Sequence, residues 1–325
     1  MRNETGETKQ TISVIIPVKN RHDALVRLLH SIANQERLPD EIFIIDDASN
    51  PKFEFDAMKF GILNGQTLPL KIIRFDTTRG PGAARNTGLQ SSTADYSLFV
   101  DSDCVLPKDW TQSALKAFSR NPKIALLAGS AKIIEGNRFS GAVAMLGYPA
   151  GAGLGFQYMW KVAPSGQTDH FSGCCFGVRM SSYKAAGIAF DESLGKAACE
   201  DVLFSKQWIQ SGKTIYFSNE FWVWHEACNS PIKFLRWHFQ RGRGAYFYRK
   251  KGGSILEGLQ KRLGTLRASL MASGPIEKPV VFLLFWTQVL SQAVGLVFEM
   301  IAANTYSRSD FTRNLSRVKD SIVPS

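Results

Sequence analysis

Short apolar runs, each ending in a polar cluster, organise the first hundred residues. Ile12-Ser13-Val14-Ile15-Ile16-Pro17 reads as a buried strand. From Asp23 to Ala33, residues Leu25, Leu28, Leu29 and Ile32 fall at helical spacing. Glu41 to Ile45 is a second buried strand and runs into Asp46-Asp47. Phe53 to Leu63 reads as a weaker helix and Leu70 to Phe75 as a third strand. A Gly-Pro-Gly turn opens a helix over Gly82 to Leu89, and Tyr96 to Val100 is a fourth strand ending in Asp101. Strands alternating with helices predict parallel βαβ units, hence an α/β fold with a doubly wound, mostly parallel sheet. The polar clusters Lys19-Asn20, Asp46-Asp47, Asp76 and Asp101-Ser102-Asp103 all follow strands. Ligands of open α/β sheets bind outside the carboxyl ends of the strands, so the pattern points to one edge.

Beyond Pro107 the pattern is mixed. Trp110 to Ser119 reads as a helix and Ile124 to Ile134 as a strand. Gly136 to Thr168 is glycine-rich, with Gly151, Gly153 and Gly155 alternating, and reads as a long mobile loop. Phe171 to Met180 is a strand or turn, Asp201 to Gln210 a helix, and Lys213 to Phe217 and Trp222 to Trp224 short strands. Pro231 to Tyr248 is a basic, aromatic helix, followed by a Lys250-Lys251-Gly252-Gly253-Ser254 linker. Ile255 to Leu270 carries Leu256, Leu259, Leu263, Leu266 and Leu270 on one side and Lys261, Arg262 and Arg267 on the other. Val280 to Phe298 contains no charge, and the tail from Thr305 is polar and expected to be loose. The expected organisation is a flexible N-terminus over 1–10, an α/β domain over 11–250, a helical region over 251–303 and a polar tail over 304–325. The α/β domain divides where the pattern changes, into 11–106 and 107–250.

The 325-residue chain has 39 Lys and Arg against 28 Asp and Glu, a formal charge of +11 that suits a polyanionic partner. No nucleic-acid motif is visible, so nucleic acid is not the expected partner. The five cysteines are odd in number and none forms a CxxC pair, which argues against a disulfide framework or a zinc site. Met1 to Gln10 is polar and lacks an apolar signal region, so the N-terminal domain is expected to stay in the cytosol.

Asp101-Ser102-Asp103 follows the strand Leu98-Phe99-Val100. Two carboxylates one residue apart past a strand end can both reach one hard cation. Mg²⁺ or Mn²⁺ takes one or two such carboxylates and fills its shell with phosphate and water. Such a pair alone is a weak signal, and its setting strengthens it. Ser13-Val14-Ile15-Ile16-Pro17-Val18-Lys19-Asn20, Ile45-Asp46-Asp47-Ala48-Ser49, Arg79 to Gly88 and Phe99-Val100-Asp101-Ser102-Asp103 occur in this order and spacing. Together they resemble the family 2 glycosyltransferases of GT-A fold, and the resemblance extends through Glu200-Asp201 to about Phe247. The resemblance makes 11–250 the expected catalytic domain, with a nucleotide-binding half (11–106) and an acceptor half (107–250), ahead of a membrane-associating region over 251–303.

The resemblance implies an inverting glycosyltransferase that moves a sugar from a nucleoside-diphosphate donor, a UDP-sugar first, to a hydroxyl of a glycan or lipid-linked acceptor. Pro17, Val18 and Asn20 would line the nucleotide pocket, and Asp46 and Asp47 would meet base and ribose. Gly80 and Arg85 would approach the nucleotide, with glycine permitting the contact and arginine offering a planar fork. Asp101 and Ser102 would contact the donor. Asp103, with Asp101 and His225, would hold the metal. Asp201 would be the general base, with Glu200 as a supporting acceptor contact. An acidic first helical turn is the structural alternative for that pair. Cys174 and Cys175 would pack beneath the sugar. A polyprenyl-phosphate glycosyltransferase and a non-catalytic sugar-nucleotide binding module are the alternatives. Arg236-Trp237 lacks the full motif of processive polysaccharide synthases.

From Glu226 to Lys278 there are eleven Lys and Arg and three Glu, a balance that attracts anionic lipid. Val280 to Phe298 is just long enough to cross a bilayer, yet Thr287, Gln288, Ser291, Gln292, Gly295 and Glu299 share one helical face. The run therefore spans with a polar packing face, lies in the interface, or is a buried soluble helix. The expected location is the cytoplasmic face of a cell membrane.

Overall fold

The computed structural model describes residues 10–53, 62–63, 66–134 and 136–320. A nine-stranded mixed sheet runs through the molecule. Its N-terminal part contains β1 (Ile12–Val18), β2 (Glu41–Asp46), β5 (Leu70–Arg74) and β6 (Tyr96–Val100), all paired in parallel in the order β5-β2-β1-β6. β10 (Cys175–Arg179) joins antiparallel to both β6 and β8 (Leu126–Ile133). β11 (Ile215–His225) pairs parallel to β8 and antiparallel to the short β7 (Cys104–Val105) and β9 (Gln167–Thr168). A separate pair, β3 (Ile62–Leu63) and β4 (Gln66–Thr67), is antiparallel.

Alternation along β1 distributes its side chains to two cores. Val14, Ile16 and Val18 pack with α1 (His22–Ala33), through Leu25, Leu28 and Leu29, and with Trp110 and Phe118 of α3 (Trp110–Arg120). Ile15 faces the opposite way, with Phe43, Phe99 and Phe176, beneath Ala83 and Ala84 of α2 (Pro81–Ser91) and Trp208 of α7 (Glu200–Gln210). Helices thus cover both faces, as the strand–helix alternation predicts.

Three segments ahead of the C-terminal helices differ from the sequence reading. The stretch Gly136 to Thr168 contains α4 (Arg138–Met145) and the single turn α5 (Phe156–Met159). Asn137 caps α4 by accepting from Ser140 N, and Val143 and Leu146 enter a third core, so helical burial overrides the glycine content. The two short strands expected over 213–224 are one strand, interrupted by a register shift between Phe217 and Trp222. The helix expected over Phe53 to Leu63 lies mostly outside the described residues, and Ile62–Leu63 is a strand.

Between β10 and α7 lies α6 (Met180–Ala186). The C-terminal part is helical: α8 (Pro231–Lys250), α9 (Ile255–Ala272) and α10 (Lys278–Asp320), so the helix continues through the segment expected to be loose. Phe234, Leu266, Val281 and Phe285 join these helices to α4 in the third core.

Candidate active site

The ends of β1 and β2 are clasped by their own loops. Val18 pairs with Asp46, and Val18 O accepts from Asp47 N at 2.9 Å. Asn20 has a φ of 53° and donates its N–H to Ser49 Oγ at 2.9 Å, while its Oδ1 accepts from Asn50 N at 2.7 Å. Asp46 is buried. Its Oδ1 accepts from Ser49 N at 2.9 Å and its Oδ2 accepts from Arg74 Nη1. Asp47 Oδ1 accepts from the backbone N–H groups of Arg79 at 2.6 Å and Gly80 at 3.2 Å. Both carboxylates therefore order the loops that frame the sheet edge. Gly80 has a φ of 91°, and a Cβ there would lie 1.8 Å from Gly195 O, so only glycine fits.

Arg85 ties the two acidic motifs together. Its side chain is buried, with Nη1 donating to Glu200 Oε1 at 2.6 Å and Nη2 to Asp101 Oδ1 at 3.2 Å and Gly173 O at 3.1 Å. Burial alone would weaken its charge, but the carboxylates of Glu200, Asp101 and Asp201 hold it protonated. Burial lifts the Glu200 carboxyl above its ordinary range, with Arg85 pulling the other way. Glu200 thus serves as the buried anchor of the guanidinium. Asp201 is the more open of the two: it is half-buried, its Oδ2 accepts from Gly173 N at 3.3 Å and its Oδ1 from Val202 N at 2.9 Å. A Cβ on Gly173 would sit 2.6 Å from Arg85 Nη2.

Beyond Asp101, Ser102 and Asp103 are buried, and the chain turns into β7. Pairing of β7 with β11 sets His225 opposite Cys104 and, with it, brings His225 Nε2 to 3.5 Å from Asp103 Oδ1. Asp103 Oδ1 is buried and has no hydrogen-bond partner. Burial lowers the His225 pKa, so the ring is neutral. With Nδ1–H donating to Glu226 O at 2.9 Å, Nε2 turns its lone pair toward Asp103. Two acceptors facing each other with no donor between them are the arrangement a divalent cation resolves. Asp103, Cys104 and His225 offer ligand atoms within 4.8 Å of one another. Burial pushes the Cys104 thiol well up, so it stays protonated and leaves the carboxylate and imidazole as the competent donors. Asp103 Oδ2 accepts from Arg21 Nη1, a guanidinium half exposed to solvent.

Arg85 therefore joins Asp101 to Glu200, whose neighbour Asp201 holds Gly173, while Asp103, two residues past Asp101, faces His225. Pro17, Val18, Asn20, Asp46, Asp47 and Gly80 frame the adjoining loops. Arg21 and Cys104 were not singled out from sequence. Arg21 carries no spacing signal, because its contact with Asp103 depends on how α1 crosses the sheet edge. Cys174 and Cys175 are buried, with burial raising both thiols, and neither is a nucleophile.

The family model for glycosyl transferase family 2 matches residues 13–187. The chain belongs to that family. As a family 2 glycosyltransferase it is similar to the pre-mycofactocin glycosyltransferase of Mycobacterium tuberculosis, at 32% identity over 127 residues. That match covers 39% of this chain and 25% of the relative. An uncharacterized glycosyltransferase of Haemophilus influenzae is 30% identical over 122 residues, covering 37% of this chain and 39% of its own length. The chain thus spans well under half of these relatives. Among solved structures, S. aureus TarS 1-349 overlays with a TM-score of 0.51 at 20% identity, over 91% of this chain and 92% of that one. The Pyrobaculum calidifontis mannosyltransferase PcManGT, in complex with GDP-Man and Mn²⁺, overlays at 0.56 and 14% identity, over 90% and 88%. This family 2 glycosyltransferase shares their GT-A architecture.

Proposed function

We propose that this chain is an inverting, metal-assisted transferase that moves a sugar from a UDP-sugar to a hydroxyl of a glycan or lipid-linked acceptor at an anionic membrane surface. The observation that carries this reading is the Arg85 fork, which fastens Asp101 of the metal motif to the acidic pair at the start of α7. Donor and acceptor chemistry thereby share one edge. TarS structures with UDP and UDP-GlcNAc support the choice of donor class.

Asp103, Asp101 and His225 are the residues that would hold Mn²⁺ or Mg²⁺, which when bound would neutralise the diphosphate leaving group. Asp47, between the end of β2 and the Arg79–Gly80 turn, is the proposed ribose and base contact, and Asp46 buttresses it through Arg74. Asp201 is the base. Its carboxylate accepts the acceptor hydroxyl proton as that oxygen bonds to the anomeric carbon. The bond from that carbon to the diphosphate oxygen breaks on the opposite face, and the nucleoside diphosphate leaves with the electron pair. Glu200, engaged with Arg85, positions the guanidinium rather than touching the proton. A positioned base contributes ~10²–10⁴ in rate.

The test is release of UDP, GDP, dTDP or CMP by the purified chain from the corresponding nucleotide-sugars, with Mn²⁺ and with chelator. Metal-dependent release from a UDP-sugar is expected. Release from none of the four, or equal release with chelator, overturns the reading.

A further inference from the structure

Past its buried start at Val281, Leu284 and Phe285, helix α10 is built inside out. Its polar residues face the protein: Gln292 Nε2 lies 2.8 Å from His238 Nδ1, Ser291 Oγ donates to Leu235 O at 2.8 Å, and Glu299 accepts from Arg243 Nε at 2.5 Å. Gly295 lets the backbones close up, since a Cβ there would sit 2.1 Å from Phe239 O. The contacts 235–291, 239–295 and 243–299 advance in step, so α8 and α10 run side by side in the same direction for about two turns. A stripe of apolar residues faces outward. Leu283, Leu290 and Ile301 are 66%, 67% and 62% exposed, and Trp286, Val294 and Val297 continue the same stripe.

The segment 278–304 is long and apolar enough to cross a membrane by length and composition. Its attachment to α8 argues otherwise. α8 exposes Lys233, Arg236, Arg249 and Lys250, and a helix fastened to it could not enter the hydrocarbon lengthwise without dragging those charges or breaking the polar contacts.

Where α9 turns into α10, an open groove of about 670 Å³ lies between them, within the ~300–1,000 Å³ range of ligand sites. Leu266, Leu270 and Phe282 line it, and Arg267 and Lys278 border it. Among the described residues, neither cation has a carboxylate partner.

We infer that the α9–α10 hairpin docks flat on an anionic phospholipid leaflet, its apolar stripe in the acyl boundary, one acyl chain in the groove and that lipid's phosphate between Arg267 and Lys278. The occupant follows from charge. An apolar groove bordered by two unpaired cations complements a phosphate-headed amphiphile. A second copy of the chain, itself carrying +11, offers no phosphate and would bring the same two cations against these. The inference rests on the membrane-surface reading above, and it adds the orientation of the chain and the residues that hold the lipid.

The experiment is co-sedimentation of the full chain with phosphatidylcholine vesicles, with and without phosphatidylglycerol. Binding is expected only with phosphatidylglycerol, and an alkaline carbonate wash is expected to release the protein. Arg267→Ala with Lys278→Ala should weaken binding about thirtyfold, from ~1 kcal/mol per basic residue. Lys116→Ala with Lys184→Ala, on the distant α3 and α6, should leave it unchanged. Retention after the wash would mean a spanning helix and overturn the inference. Equal loss in the distant pair, or lipid-independent pelleting with self-association on sizing, would overturn it as well. Melting of the same samples with UDP-sugar and Mn²⁺ reports donor binding separately, so failure of the transferase reading is distinguishable from failure of docking.

Discussion

His225 Nε2 lies 3.5 Å from Asp103 Oδ1, two acceptors 122 residues apart in sequence brought face to face by the pairing of β7 with β11. The neutral imidazole and the unpartnered carboxylate oxygen form the core of the proposed metal site. His225→Ala should lower Mn²⁺ affinity at least tenfold, because even loss of a group behind a metal ligand costs ~10–100-fold. Calorimetric titration with Mn²⁺ in the presence of UDP measures this. Unchanged affinity would remove His225 from the site.

Asp201→Asn keeps size and most hydrogen bonding but removes basicity. Turnover should fall ~10²–10⁴-fold with donor affinity nearly unchanged. Steady-state kinetics paired with donor titration checks it. Collapse of donor binding instead would place Asp201 in the nucleotide site.

Arg85→Met leaves the buried Glu200, and the half-buried Asp101, without their shared cation. Removal of one partner from a buried pair costs about 3–5 kcal/mol, so urea unfolding should show a loss of that order. A change below about 1 kcal/mol would show that the fork is not a desolvated pair.

Much of this site was legible in the sequence because its parts sit where strands end. The apolar runs of β1, β2 and β6 locate the edge, and Asp46-Asp47 and Asp101-Ser102-Asp103 follow directly. The partnerships were not legible. Arg85 with Glu200 and Asp103 with His225 are long-range contacts, set by how β6, β10, β8 and β11 pair, and no local spacing encodes that order. Arg21 reaches Asp103 for the same reason. The glycines between Gly136 and Thr168 misled in the other direction: they suggested a loop, while α4 gains its stability from the third core. In α10 the polar stripe was visible, but its burial against α8 required the packed structure.

Burial depresses the His170 pKa from 6.5 to about 3, in a site stacked on Trp160 at 4.8 Å between ring centroids. Below about pH 6.5 the unfolded chain takes up a proton that the folded chain refuses until near pH 3, so stability falls as pH falls through that window. The slope is at most ~1.4 kcal/mol per pH unit for this histidine. His238, depressed to about 2, adds in the same direction. Denaturant unfolding at several pH values should show the wild type losing more stability than His170→Asn between neutral and mildly acidic pH. Parallel curves would contradict the assignment.

The proposed site binds a nucleotide-sugar at one sheet edge through a metal held by Asp103. Thermal unfolding with UDP-sugar, in Mn²⁺ or in chelator, for wild type and Asp103→Ala, tests it most directly. At about a hundred times Kd the donor should stabilise the wild type by ~2.7 kcal/mol in Mn²⁺. The stabilisation should vanish in chelator and in Asp103→Ala, while the unliganded variant melts close to the wild type. Equal donor stabilisation in all three conditions, or none with any nucleotide-sugar, would contradict the account.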